Sequence, residues 1–242
     1  MQYPRVKGLA VTVRFCRRLR FLWFNPCMNI LHADDLLLII NKPAGLPVLP
    51  DGWEPDAPYL VKLLEEEHGK IWVVHRLDKI TSGVMVFART PEAHRALNIQ
   101  FERHEAHKVY HAIVSGTPVW EEHTARYPLR ANVGHNHRTV VDMKQGKRAE
   151  THFRVIQREQ AWALIEASPK TGRTHQIRVH LSALGHPILG DVLYGALPTD
   201  LIARPALHAF SLTFNHPSNG KPLTFTAPYP QDIARVLRQN RP

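Results

Sequence analysis

The stretch His75-Arg76-Leu77-Asp78-Lys79-Ile80-Thr81-Ser82-Gly83 places one carboxylate among two cations and two hydroxyls. Nearby positive charge keeps a carboxylate ionised even when it is partly buried, so Asp78 is available as a nucleophile or a base. The apolar residues at 71–74 predict a strand leading into this stretch. A loop leaving a strand end suits a reactive side chain, because the strand fixes its origin. On these residues alone, an aspartate that caps a turn and makes a surface salt bridge is the commoner case.

A second cluster is Lys170-Thr171-Gly172-Arg173-Thr174-His175-Gln176-Ile177-Arg178. A glycine turn feeding a helix N-terminus aims backbone N–H groups outward and attracts phosphate, and Arg173 beside it adds a guanidinium fork. Arg178 lies about 100° around the helix from the apolar Ile177, free to face a cleft. His175 and Gln176 also fit plain decoration of a helix surface. In a third element, Lys108-Val109-Tyr110-His111-Ala112, a strand would put Lys108, Tyr110 and Ala112 on one face. A tyrosine flanked by basic residues is a platform on which a base can stack, although an ordinary core tyrosine is more common.

The elements that must position these residues follow from pattern. Residues 36–40 read as a buried strand entering the turn Asn41-Lys42-Pro43-Ala44-Gly45, and Gly52, Pro55 and Pro58 make 51–58 a loop. Residues 59–68 read as a helix with Leu60, Leu63 and Leu64 on one side and Gly69 as its stop. After a strand at 83–88, Thr90 caps a helix begun by Pro91, with Ala93, Leu97 and Phe101 as its buried face. Further strands are expected at 109–114, 153–156, 162–165, 210–214 and 223–225. Residues 130–150 are polar and basic, and are expected to form a mobile excursion. Thr174 is expected to cap a helix whose Ile177, Leu181 and Leu184 form a stripe ending at Gly185. Many short strands and few helices predict an α+β fold, with a mixed, mainly antiparallel central sheet flanked by helices and loops.

With 242 residues the chain can bury a substantial core, and its net charge of +10 points to a polyanionic partner. That charge is uneven. Six of the 31 basic residues fall in the first 27 positions with no acid among them, leaving 25 basic and 21 acidic residues for the rest. Residues 1–28 therefore stand apart as a basic extension, read either as an RNA-gripping arm or as sequence ahead of a true start at Met28. Residues 29–232 form the main domain, and 233–242 a C-terminal tail. Cys16 and Cys27 make neither a disulfide framework nor a zinc cluster, which fits a reducing cytoplasm. No run of about 20 apolar residues suggests a membrane span. His104 with His107, and His135 with His137, have ligand-like spacings, but carboxylate or thiol partners at zinc-site spacing are missing, so no metal is expected.

Residues 75–83 resemble the HRLDxxTSG signature of the RluA-type pseudouridine synthase family. The turn at 42–45 resembles its NKPxG element, and residues 170–180 and 185–191 resemble its TGRxHQIRxH and GHPIxGD stretches. The motifs agree in order and spacing over roughly residues 29–229. The resemblance implies an isomerase that turns uridine into pseudouridine in ribosomal or transfer RNA, without a cofactor. It also implies that Asp78 is the catalytic aspartate, Tyr110 the tyrosine stacked on the target base and Arg178 the partner of the aspartate. Arg76 would fill the gap left by the departing uridine, while Lys170, Arg173 and His175 would contact RNA. A monomer acting on RNA in the cytoplasm, away from membranes, is the expectation. Two rivals remain: a non-catalytic RNA-binding or ribosome-assembly protein on the same fold, and a hydrolase using His75, Asp78 and Ser82.

Overall fold

A computed structural model describes residues 29–50, 56–134 and 138–239. The expectations for residues 1–28, for most of the 51–58 loop and for His135 and His137 lie outside the described residues.

The first half of the chain is built around two strands buried on both sides. After β1 (Asn29–Ala33) come β2 (Leu37–Lys42), helix α1 (Leu60–His68), β3 (Trp72–Val73), β4 (Ser82–Ala88) and helix α2 (Pro91–Glu102). In β2 and β4, side chains alternate between the faces of the sheet. Leu37, Ile39, Val84 and Val86 pack with Ala93 and Leu97 of α2, whereas Leu38, Ile40, Met85 and Phe87 pack with Leu60 and Leu64 of α1. Both faces are covered, so these strands read as continuous apolar runs rather than alternating ones. Thr90 caps α2 as expected, its side chain accepting the Ala93 N–H at 3.2 Å.

The second half adds β5 (His107–Ser115), β6 (Glu122–Ala125), β7 (Leu129–Val133), β8 (Arg138–Val141), β9 (Thr151–Arg158), β10 (Trp162–Pro169), helix α3 (Gln176–Ala183), β11 (Leu207–Asn215), β12 (Pro222–Thr226) and helix α4 (Gln231–Arg238). The main sheet runs β1-β2-β4-β11-β5-β10-β9-β6, with β12 beside β11 and β3 beside β4. Only β4 and β11 pair in parallel among its described strands. The fold is the mixed, mainly antiparallel α+β arrangement expected. Tyr110 on β5 packs against the apolar clusters of both halves, so it marks their junction.

Three local expectations change. Residues 130–150 are not a featureless excursion: β7 and β8 pair as a hairpin, and Leu129 and Ala149 at its base are buried with Val179 and Tyr194. The tail expected from 233 onward begins inside α4, whose Ile233 and Val236 are buried in the core of the second half. Helix α3 is not capped by Thr174; its N-cap is His175, in the left-handed region at φ 54° and ψ 19°. No helix among the described residues is long and apolar enough to cross a membrane.

Candidate active site

Asp78 sits on the loop between β3 and β4. The N–H of Thr81 closes a turn onto the Asp78 carbonyl at 3.0 Å. This turn is gripped from behind. Lys42, fully buried, donates from Nζ to the carbonyls of Pro43 (2.7 Å), Thr81 (2.9 Å) and Lys79 (3.2 Å). The Gly45 N–H adds a second bond to the Lys79 carbonyl at 2.7 Å, and Arg204 Nη1 donates to the Ile80 carbonyl at 3.0 Å. Burial and the Arg204 charge push the Lys42 pKa down to about 7, with Asp78 pulling the other way. The Asn-Lys-Pro-Ala-Gly turn is thus a brace for the aspartate loop, a role that spacing alone does not reveal.

The neighbouring histidine and serine are occupied elsewhere. His75 Nε2 accepts the Val86 N–H at 3.2 Å and its ring stacks on Phe101 at 4.9 Å. Burial, helped by Lys108, pushes its pKa down to about 3, so the ring stays neutral. His208 Nε2 must donate to the Ala227 carbonyl (3.2 Å), so its Nδ1 accepts from the Ser82 hydroxyl at 2.9 Å. Ser82 and His208 are buried, 1% and 0% exposed, so their hydrogen-bonded pair is closed to a substrate and does not serve the hydrolase reading.

The turn before α3 is set by Gln176, which is buried rather than surface decoration. Its Oε1 accepts from the Thr171 hydroxyl (2.7 Å) and the Arg173 N–H (3.0 Å), while Nε2 donates to the Glu150 carbonyl (3.0 Å) and Thr151 Oγ1 (2.9 Å). The Arg173 N–H is therefore already engaged and is not free for a phosphate. Arg173 itself is tied to the hairpin base, its Nε donating to the Arg148 carbonyl at 3.2 Å.

Arg178 points inward and is 3% exposed. Its Nε and Nη2 form a fork on Asp191, at 2.7 and 2.8 Å, and its remaining nitrogen Nη1 lies 3.9 Å from Asp78 Oδ2. Tyr194 supports the guanidinium from below, 4.7 Å from ring centre to Cζ. Burial works against the Arg178 charge, but the bonds and charge of Asp191, joined by Asp78 and Tyr194, outweigh it and raise the pKa. His175 brings a second nitrogen to the carboxylate, Nε2 lying 3.8 Å from Asp78 Oδ2.

Asp78, Tyr110, Arg178, Arg76, Arg173 and His175 line one cleft, and Lys170 does not. Lys108 also lines it, and the groove continues past the 47–50 loop and His104. Tyr110 is enclosed enough that burial, with the nearby Asp78 charge, raises its pKa and keeps the phenol protonated. Sequence reasoning misses Asp191 and Tyr194 as site residues; the Gly-Asp at the end of the 185–191 motif is the available signal for the first. Among the described residues, no group of three or more His, Cys, Asp or Glu side chains is placed to hold a metal.

Comparison with known proteins agrees with this geometry. Residues 36–183 match the family model described as RNA pseudouridylate synthase. The chain is 40% identical over 228 residues to the ribosomal large subunit pseudouridine synthase D of Zymomonas mobilis, spanning 87% of this chain and 72% of that protein. It is 38% identical over 205 residues to the dual-specificity RNA pseudouridine synthase RluA of Escherichia coli, spanning 84% and 94% respectively. The solved structure of human RNA pseudouridylate synthase domain containing 4 aligns with a TM-score of 0.72 at 28% identity, over 86% of this chain and 91% of that one. The chain belongs to the RNA pseudouridylate synthase family, isomerases that convert uridine to pseudouridine in RNA.

Proposed function

We propose that this enzyme isomerises specific uridines in ribosomal or transfer RNA, with Asp78 as its essential carboxylate. The observation that carries the reading is the meeting of three groups in one cleft: the half-buried Asp78, Arg178 Nη1 at 3.9 Å from it, and the enclosed ring of Tyr110. The same meeting favours catalysis over a binding-only role, since a scaffold protein has no need of a buried cation aimed at a carboxylate.

The uridine must first leave its stack, at a cost of a few kcal/mol that contacts in the cleft have to offset. Arg76, exposed at the mouth of the cleft, suits the gap in the helix, and Tyr110 offers a face to the extruded base. Arg173 suits the phosphates beside it, whereas Lys170, outside the cleft, suits a phosphate further along the strand. The N1–C1′ bond then breaks, the base turns, and a C5–C1′ bond forms. C5 gives up its proton and N1 gains one, so the step is redox-neutral and needs no electron carrier. Asp78, with Arg178 Nη1 aimed at it, acts at the sugar or the base during this exchange.

Target choice is assigned to residues 49–58 and 117–148; Leu49 and Pro50 of the first line the groove that holds Asp78, and the second carries β6 and the β7–β8 hairpin. RNA as substrate and two cysteines that make no disulfide framework favour a cytoplasmic enzyme, and we read it as a monomer that works away from membranes. The test is Asp78→Asn assayed by tritium release from RNA carrying 5-tritiated uridine. No release with RNA binding retained is expected; appreciable release overturns the assignment.

A further inference from the structure

We propose that His175 is a positioning residue for Asp78, held by the Tyr194 hydroxyl with its proton on Nε2 and that N–H aimed at the carboxylate. The proposal rests on the reading of Asp78 as the essential group, and gives His175 a different task from the RNA contact expected from sequence.

The backbone supplies the first observation. His175 adopts φ 54° and ψ 19°, the left-handed region that few non-glycine residues enter. Histidine is among the residues that enter this region, and here the backbone sets the direction of its side chain. That direction brings Nε2 to 3.8 Å from Asp78 Oδ2 and Nδ1 to 2.7 Å from Tyr194 Oη.

The hydrogen bonds and the facing carboxylate then favour one tautomer. Tyr194 Oη already accepts the backbone N–H of Thr139 at 3.0 Å, so its single proton is available to His175 Nδ1. An Nδ1 that accepts leaves the ring proton on Nε2. The opposite tautomer would set a bare nitrogen lone pair against the Asp78 carboxylate, which is repulsive. The groups facing the ring are Asp78, Arg178, Asp191 and Tyr194; burial dominates over the acids among them and lowers the His175 pKa, so the neutral form is the relevant one.

Tyr194 is itself anchored. Its N–H donates to the Asp191 carbonyl at 3.0 Å and its carbonyl accepts from the Ser182 hydroxyl at 2.7 Å. Its ring carries Arg178 while its hydroxyl orients His175, so one side chain sets both nitrogens that flank Asp78. At 3.8 Å the His175 contact is longer than a hydrogen bond, and such contacts commonly tighten when substrate fills the site.

The test uses His175→Gln, which keeps a donor at a comparable reach, with His175→Ala and Tyr194→Phe. Single-turnover tritium release from a large-subunit ribosomal RNA transcript is measured at saturating enzyme, alongside RNA binding, with Asp78→Asn as control. His175→Ala should slow the chemical step about 10- to 100-fold, the scale of one hydrogen bond to a charged group, and leave binding within about threefold. His175→Gln should recover most of that rate. Tyr194→Phe should slow the wild type and do little further in the His175→Ala background. Histidine 15N chemical shifts of the unmutated enzyme should show the Nε2–H tautomer at His175, and this readout stands even if the alanine variant folds poorly. Weakened RNA binding with an unchanged rate at saturation, or an Nδ1–H tautomer, overturns the proposal. Turnover by Asp78→Asn overturns instead the reading beneath it.

Discussion

Arg178 faces two carboxylates at unequal range: Asp191 holds its Nε and Nη2 at 2.7 and 2.8 Å, while Asp78 stands 3.9 Å from Nη1. Asp191 is 1% exposed and fixes the guanidinium plane, so the nitrogen left over is aimed before substrate arrives. The aspartate with the closer bonds is thus the structural partner, and the more distant, half-buried one remains available for chemistry.

Removing the structural partner should therefore affect folding and catalysis together. Asp191→Ala leaves a buried guanidinium without its counter-charge, which costs about 3–5 kcal/mol. Asp191→Asn keeps one acceptor and should cost less. Denaturant midpoints should fall in that order, and single-turnover rates with them. An Asp191→Ala protein of wild-type stability would contradict this geometry.

The partnership also shows where sequence reading stops. Residues 75–83 and 170–178 stand out because their charges and glycines are consecutive, and α1 and α2 because Leu60, Leu64, Ala93 and Leu97 keep helical spacing. Nothing in spacing says that Arg178 forks onto a residue 13 positions later, since that fork depends on a turn after α3 that no periodicity describes. The β7–β8 hairpin is hidden for a similar reason. The segment after β8 is stapled by Asp142 Oδ1, which accepts the N–H groups of Lys144 and Gln145, both at 2.9 Å, and such polar stapling resembles loop composition. The expected Thr174 cap fails because Gln176, buried under the turn, satisfies the turn's polar groups instead.

Gly83 should tolerate no side chain. It has φ +123°, and a Cβ there would run into the Ala209 backbone across the parallel β4–β11 pair. Gly83→Ala must both strain the backbone and push the paired central strands away from each other just beyond the Asp78 loop. A loss of roughly 2–5 kcal/mol is expected, read from urea unfolding. A loss under about 1 kcal/mol would show that the close approach of the strands is not required.

Acid should destabilise the fold before its carboxylates titrate. Burial above all pushes His111 and His208 down to about 4 and His75 to about 3, against about 6.5 in the unfolded chain. Below pH 6.5 the unfolded state takes up protons that these rings refuse, so stability falls as pH drops through 6.5 towards 4. For each ring, every pH unit within that window removes about 1.4 kcal/mol. Unfolding midpoints at pH 7 and 4.5, at one ionic strength, should differ by several kcal/mol; equal midpoints would refute buried neutral histidines.

Arg76 and Arg173, both exposed at the cleft, should reveal phosphate contacts through salt. Each contact removed should lower the slope of log binding constant against log salt by about 1. Arg76→Ala should do so while leaving the unfolding free energy within about 0.5 kcal/mol, and Arg173→Ala, which also loses its bond to the Arg148 carbonyl, within about 1.5 kcal/mol. Slopes unchanged in both variants would move RNA off this face.

Lys42 should couple the stability of the Asp78 loop to alkaline pH. Its Nζ serves three carbonyls, and the longest of those bonds, to Lys79 at 3.2 Å, goes to an oxygen that already has the Gly45 N–H. A neutral amine with two protons can therefore still satisfy Pro43 and Thr81, consistent with a pKa near 7. In the unfolded chain the same amine titrates near 10.5. Between about 7 and 10.5 the unfolded state binds the extra proton, so the wild type should gain stability as pH rises through that window. Lys42→Met should abolish this gain and, by leaving the Pro43 and Thr81 carbonyls without their buried donor, cost about 1–3 kcal/mol for each. Single-turnover rates should fall as the loop loosens, with RNA binding retained. Denaturant midpoints of the two proteins between pH 7 and 9.5 decide the matter: parallel pH profiles would mean that Lys42 keeps its proton throughout.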